Sequence, residues 1–222
     1  MTKELPVRLG FWNSVVLTVL GVVYLVILVG HFATLGFAVP PTLFVQTVAG
    51  LVTILSAPAI LVIFAVIAHL SPKEKRVLGT VGLSFAILFV AMVSINRFVQ
   101  LTVIRQSSPA EQASDLARFL PYGTGSVMLA LEFLGWGFFL SIACLFVAPL
   151  FSGLRLNRVI RWLFVLFAIF SLMGVVGFAT ATSLTNFAFV AWGPILLALS
   201  VSLSILFHRG ETPSSGHDRL AA

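Results

Sequence analysis

Charged residues are scarce in this sequence, and their scarcity decides its class. Only 9% of the 222 residues are charged, whereas a soluble domain carries roughly 25%. Four stretches contain no charged residue, and each is long enough for a membrane-spanning helix of about 20 residues; they cover residues 9–72, 77–96, 133–154 and 162–208. A soluble globular domain is therefore excluded. Because no stretch alternates polar and apolar residues, the sequence predicts an all-α integral membrane protein.

Other absences narrow the function. The single cysteine, Cys144, lies in an apolar stretch, so neither a disulfide framework nor a cysteine metal site can form within the chain. No Asn-x-Ser/Thr acceptor, His-Glu-x-x-His motif or P-loop is present. We therefore predict no catalytic residue, no metal ligand and no cofactor, and the sequence favours a protein that is not an enzyme. The net charge of +6 is divided among short loops, so no nucleic-acid partner is expected.

The apolar segments predict a six-helix transmembrane bundle that forms a single domain over residues 1–209. Residues 210–222 are polar and predict a disordered cytoplasmic tail. The six expected spans cover about residues 11–36, 42–68, 77–104, 122–150, 157–181 and 186–207.

The basic residues predict the orientation of the bundle. Of the 13 Lys and Arg residues, all but Arg97, Arg105 and Arg118 fall on the side that holds both chain termini. Cytoplasmic loops are the ones enriched in Lys and Arg. We therefore expect a multi-pass protein of the cell (inner) membrane, that is the plasma membrane, with both termini in the cytoplasm.

The longest external connection, residues 105–121, joins the third and fourth spans. Ser108-Pro109-Ala110-Glu111 has the pattern of a helix start, with a capping box and proline at the first helical position. Leu116, Phe119 and Leu120 then fall on one side. The pattern predicts a short external amphipathic helix on the membrane surface, which serves either as a covered connection or as a lid over an outward-facing site.

Glu132 is the only acidic residue inside a long apolar segment. A charged side chain at the centre of a bilayer costs about 2.5–3.5 kcal/mol on insertion scales, so it needs a partner, a proton or a function. Glu132 lies roughly 15 Å inward from Tyr122, and Arg97 lies roughly 12 Å inward from Arg105, at 1.5 Å per residue. Since consecutive spans are antiparallel, we predict that Arg97 and Glu132 pair, directly or through one water or ligand.

Further polar side chains surround this predicted pair. Asn96 and Gln100 lie beside Arg97 on the third span, and His31 and Trp192 belong to the same outer half of the bundle. The inner half is dominated by Leu, Val and Phe, so we expect an outer-half pocket that is open to the outside and plugged beneath. The candidate ligand-binding residues are Arg97, Glu132, Asn96, Gln100, His31 and Trp136.

Each candidate residue has an expected role. Arg97 would hold an anion or carboxylate, and Glu132 would accept a proton or a cation. Asn96, Gln100 and Trp136 would orient the ligand, whereas His31 would exchange protons with Glu132. The leading hypothesis is a polytopic membrane protein that binds or transports a small solute, a lipid headgroup or a proton in this pocket.

Two other interpretations of the charges remain open. In the first, the protein is a non-catalytic accessory or structural subunit, and Arg97–Glu132 is an ion pair that locks two helices together. In the second, Arg97 extends to the lipid headgroups while Glu132 stays protonated. The expected partners are the lipid bilayer and either a small-molecule or lipid ligand or another membrane protein, including a second copy. A concave pocket at Arg97 favours a binding site, whereas a dry, sealed pair favours the structural role.

Overall fold

The computed structural model describes residues 4–36, 41–108, 112, 116–120, 125–153 and 155–213. This part of the chain is helical and contains no strand. Six helices are each long and apolar enough to cross a membrane, which confirms the number expected from the sequence. They are α1 Glu4–Leu35, α2 Leu43–His69, α3 Lys73–Ile104, α4 Val127–Leu150, α5 Arg155–Thr180 and α6 Ser183–His208.

Helix α1 is already helical at Glu4, the first residue that the structure describes, so it extends beyond the expected start of the first span near residue 11. Local sequence explains where helix α4 begins. Helix α4 begins after Ser126, whose hydroxyl accepts a hydrogen bond from the backbone N–H of Leu129 at 3.1 Å. This N-cap satisfies one of the free N–H groups of the first turn.

The helices form a closed ring in chain order. Each packs against the next one, and α6 packs back against α1, where the Thr18 hydroxyl donates a hydrogen bond to the Ser200 hydroxyl at 2.9 Å. The start of α1 meets the end of α6, with the rings of Phe11 and His208 5.5 Å apart. We call this end of the bundle the terminal side, and the other end, which carries the α1–α2, α3–α4 and α5–α6 connections, the opposite side.

Apolar side chains fill the interior toward the terminal side. Phe64 of α2 meets Phe164 of α5 with ring centroids 6.2 Å apart, and Leu140 of α4 is buried in the same cluster. The gap that remains between these residues and Leu17 is about 20 Å³. Such a void holds little more than one water molecule, so this half of the bundle is a dry core.

Two connections bear on the expectations for the loops. The described end of the chain lies against the α4–α5 loop, since the side-chain amide of Asn157 donates to the backbone oxygens of Ser152 and Pro213, both at 3.2 Å. Residues 214–222 lie outside the described residues. The expected external helix also falls largely outside them; its described part contains one 3-10 turn, Ala117–Phe119.

Three of the six helices are interrupted by π-helical turns. These turns are Gln100–Ile104 in α3, Phe133–Phe139 in α4 and Ala191–Ile195 in α6. The turn in α6 contains Pro194, which lacks an N–H and cannot continue a regular helical ladder. A π-turn is rare and frequently marks a functional site.

Candidate functional site

Arg97 of α3 and Glu132 of α4 form an ion pair. The Arg97 Nη2 atom lies 3.0 Å from Glu132 Oε2, with the side chains 12% and 7% exposed. This contact confirms the pairing that was expected from the depth of the two residues. Arg97 therefore does not extend to the membrane surface, and the interpretation in which it leaves Glu132 alone is wrong.

Asn96 and Gln100 complete a closed circuit of hydrogen bonds around the pair. The Asn96 amide donates to Glu132 Oε1 and, at 3.1 Å, to the backbone oxygen of Met128. Gln100 donates to Asn96 Oδ1 at 3.1 Å and accepts from Arg97 Nη1 at 2.6 Å. Positions 96, 97 and 100 share one side of α3 because residues three and four apart are neighbours on a helix. Both carboxylate oxygens of Glu132 thus have a donor.

The ion pair borders a cavity of about 100 Å³. This volume has space for several water molecules or a small organic molecule. The Nε atom of Arg97 is buried and has no hydrogen-bond partner among the described residues, so it is an unsatisfied donor inside the protein rather than a donor that faces the cavity. The cavity is lined by Leu17, Gly21 and Tyr24 of α1, Val52, Thr53 and Ser56 of α2, Arg97 of α3, Leu129, Glu132 and Trp136 of α4, and Phe189, Trp192, Gly193, Leu196 and Leu197 of α6.

Two tryptophans form a fixed aromatic wall of the cavity. The ring centroids of Trp136 and Trp192 are 6.4 Å apart. Trp136 meets the ring of Phe89 at 4.7 Å, and the indole N–H of Trp192 donates to the Ser171 hydroxyl at 3.1 Å. These contacts restrict the orientation of both rings. Aromatic faces attract cations, so indoles beside the Glu132 carboxylate suit a positively charged group.

The α2 wall contributes two hydroxyl groups. Thr53 donates to the backbone oxygen of Ala49 at 2.7 Å, and Ser56 donates to that of Val52 at 2.8 Å. A hydroxyl that donates once can still accept. The wall can therefore accept hydrogen bonds from water or from a ligand without exposing an unsatisfied donor.

Two of the three π-turns border this cavity. The turns in α4 and α6 carry Trp136, Trp192 and Gly193, which line it, whereas the turn in α3 begins at Gln100, which accepts a hydrogen bond from Arg97 but does not line the cavity in the described part of the chain. A π-turn widens the helix and changes the direction of the side chains that follow it. The two tryptophans therefore owe their positions to irregular turns rather than to regular helical spacing.

The structure brings together five of the six residues that the sequence nominated. Arg97, Glu132 and Trp136 border the cavity, and Asn96 and Gln100 form hydrogen bonds with the ion pair. His31 does not border the cavity in the described part of the chain. It lies on the same face of α1 as the cavity residue Tyr24, seven residues closer to the opposite side, or roughly 10 Å along the axis. Its ring contacts Phe32, with centroids 5.3 Å apart.

Several cavity residues were missed in the sequence. Thr53 and Ser56 carried a usable signal, because they are polar, lie one turn apart and fall inside an apolar segment. Tyr24 is one of only two tyrosines in the chain and stands in the middle of the first apolar run. Gly193 and Phe189 offered no such signal, since similar residues occur throughout the spans.

The site has no ligand set for a metal ion within the described residues, where no group of three or more His, Cys, Asp or Glu residues comes together. No protein-family model, curated protein or solved structure matches this chain. Its function must therefore be argued from the chemistry of the cavity.

Proposed function

We propose that the chain is a multi-pass protein of the plasma (inner) membrane with both termini in the cytoplasm. Six helices of sufficient length and apolarity support insertion, and the excess of Lys and Arg on the terminal side supports the orientation. In this orientation the ion pair lies in the outer half of the bundle, and the dry Phe64–Phe164 core lies beneath it.

We propose that the cavity binds a small organic solute that carries both a positive and a negative group. The observation that carries this proposal is that the Arg97–Glu132 pair borders a cavity of about 100 Å³ instead of being sealed between helices. A guanidinium binds carboxylate or phosphate groups in a defined geometry. The Glu132 carboxylate and the Trp136 and Trp192 rings suit an ammonium group.

The solute needs both charges because the two protein charges are already paired. An anion that draws Arg97 away leaves Glu132 buried without its partner, and a cation that draws Glu132 away does the same to Arg97. Removing one member of a buried pair costs about 3–5 kcal/mol. A zwitterion replaces both partners at once and avoids this cost.

Transport is the extension of this proposal. The apolar core around Phe64 and Phe164 closes the cavity toward the terminal side, so release into the cytoplasm would require that core to open. Helix α1 is the least buried of the six and contacts the cavity through Leu17, Gly21 and Tyr24. It is the element whose movement would change access with the least loss of packing.

Binding is tested by thermal unfolding of the detergent-solubilised chain with three probes: glycine betaine, choline and acetate. We expect glycine betaine to raise the Tm by a few degrees, since a ligand stabilises the state that it binds, and the singly charged ions to raise it less. Glu132→Gln should abolish the shift, whereas Glu74→Gln, which removes the same charge from an exposed position at the start of α3, should keep it. Absence of a shift with all three probes, with no small molecule retained in native mass spectra, would overturn the proposal.

One observation favours a second function, that of an accessory or structural subunit. The circuit of Asn96, Arg97, Gln100 and Glu132 is complete without a ligand and joins α3 to α4. If the circuit serves only to hold α3 and α4 together, Glu132→Gln lowers the Tm. In that case none of the three probes changes the Tm of the natural protein or of the variant.

A further inference from the structure

The first three turns of α5 carry a second set of residues that share one face. Arg155, Arg158, Trp162 and Leu166 follow each other at spacings of three and four, which places them in a row along a helix. With Val159 and Leu163 they line a shallow, open surface furrow that is formed by α5 alone among the described residues. The furrow has guanidinium groups at one end, an indole in the middle and aliphatic side chains at the other end.

The two arginines of this furrow have no acidic partner in the part of the chain that the structure describes. Both side chains are exposed, and neither forms an ion pair or hydrogen bond with any residue that the structure describes. Each guanidinium keeps a full set of donors that match the oxygens of a phosphate group. The polar end of the furrow is therefore complementary to an anion.

The length of the furrow indicates what kind of anion it fits. Arg155 and Leu166 are separated by roughly 16 Å along the helix axis at 1.5 Å per residue. The hydrocarbon core of a bilayer is about 30 Å thick, so the furrow reaches from the membrane surface to near the midplane. A free phosphate would use only the arginines, whereas Val159, Trp162 and Leu166 are 45%, 58% and 40% exposed and offer apolar surface for a chain.

We propose that this furrow binds one anionic phospholipid of the leaflet on the terminal side. The phosphate lies between Arg155 and Arg158, and Trp162 sits at the boundary between headgroup and hydrocarbon, where its amphipathic ring is favoured. An acyl chain follows Val159, Leu163 and Leu166 toward the midplane. In the proposed orientation this is the cytoplasmic leaflet, whose anionic lipids attract basic residues. The proposal depends on membrane insertion and is independent of the solute cavity.

The test is a lipid titration of the full chain in detergent, followed by native mass spectrometry. Phosphatidylglycerol is compared with phosphatidylcholine for the natural protein and for Arg155→Gln/Arg158→Gln. The matched control is Arg161→Gln/Arg209→Gln, which removes two exposed charges from the same side without touching the furrow. Both variants lose two basic residues near the surface, so they share any general attraction to anionic lipid. Only the furrow variant also loses the guanidinium groups that contact the phosphate, so it should bind phosphatidylglycerol at least about tenfold more weakly than the control variant.

Other outcomes would overturn the proposal in distinct ways. Equal binding of both lipids, or an equal loss in the control variant, would mean that the furrow is not a specific site. Displacement of phosphatidylglycerol by an equal concentration of inorganic phosphate would indicate a site for soluble phosphate. A dimer that dissociates in the furrow variant would identify the face as a contact between copies. Unchanged thermal stability of both variants shows that the comparison is between folded proteins.

Discussion

Replacing Glu132 by alanine should destabilise the protein more than removal of any exposed charge. In the natural protein the carboxylate accepts from Asn96 and pairs with Arg97 Nη2 at 3.0 Å. Its loss leaves a guanidinium that is only 12% exposed without its counter-charge, and it leaves a buried amide donor with one acceptor fewer. Breaking a buried pair from one side typically costs about 3–5 kcal/mol.

The cavity determines which part of the range for breaking a buried pair applies to Glu132→Ala. Water in the cavity could solvate the part of the guanidinium that borders it once the carboxylate is gone, whereas the buried Nε atom has no access to that water. We therefore expect about 3 kcal/mol for Glu132→Ala. The double variant Arg97→Met/Glu132→Leu removes both charges and fills much of the same volume. It should be more stable than Glu132→Ala, because a buried pair and its apolar replacement are often nearly equal in stability, and its remaining cost comes from the Asn96 and Gln100 groups that lose a partner.

The measurement is a reversible unfolding titration in mixed micelles, with Glu74→Ala as the exposed control. The decisive quantity is the difference in the free energy of unfolding between Glu132→Ala and the double variant. A cost below about 1 kcal/mol for Glu132→Ala, equal to that of the control, would show that the pair does not stabilise the bundle. A double variant as unstable as Glu132→Ala would show that the loss comes from packing rather than from an unpaired charge.

Three further predictions concern packing and topology. Gly177→Ala should disrupt the contact between α5 and α6, because an added Cβ would overlap backbone atoms at the start of α6. Overpacking of this kind costs about 1–3 kcal/mol or more. The control Gly30→Ala, whose added Cβ meets no atom within 4 Å, should leave thermal unfolding unchanged. Ser171→Ala removes the acceptor of the Trp192 indole N–H and should cost about 1–3 kcal/mol, with a change in tryptophan fluorescence. An impermeant maleimide should modify Glu74→Cys only after the cells are permeabilised; modification in intact cells would reverse the proposed orientation.

The fold could be predicted from the sequence because two quantities determine it: the length of each apolar stretch and the number of charged residues within it. Charge-free stretches of sufficient length predict helices in a bilayer, and the structure contains the six helices that were expected. The Arg97–Glu132 contact was accessible for a related reason. Depth along a helix axis depends only on the number of residues and the rise per residue, so two charges on adjacent antiparallel helices could be brought to the same level by counting.

The rest of the site depends on rotation about the helix axes, which counting does not determine. His31 was misplaced in depth instead, since it lies on the same face of α1 as Tyr24 but about two turns nearer the opposite side, and of these two residues only Tyr24 borders the cavity. The π-turns that carry Trp136 and Trp192 have no local sequence code apart from glycine and proline nearby, since such turns form where neighbouring helices favour an extra residue. The cavity itself is the space between five helices, so the sequence of any single helix does not predict it.

Under the proposed function, the completed circuit around Glu132 constrains how the cavity would recognise a solute. Because both carboxylate oxygens already have donors, an empty cavity leaves no unsatisfied charge, and a ligand must replace interactions that exist rather than fill a vacancy. The net gain on binding is then the difference between two similar sets of contacts, which predicts modest affinity. Selectivity, in contrast, should be high. A solute with a single charge leaves one member of the pair without a counter-charge, at a cost of about 3–5 kcal/mol. This cost corresponds to discrimination of more than about a hundredfold between a zwitterion and a singly charged solute. A weak but selective site is what a carrier requires, since a solute that binds too tightly cannot leave.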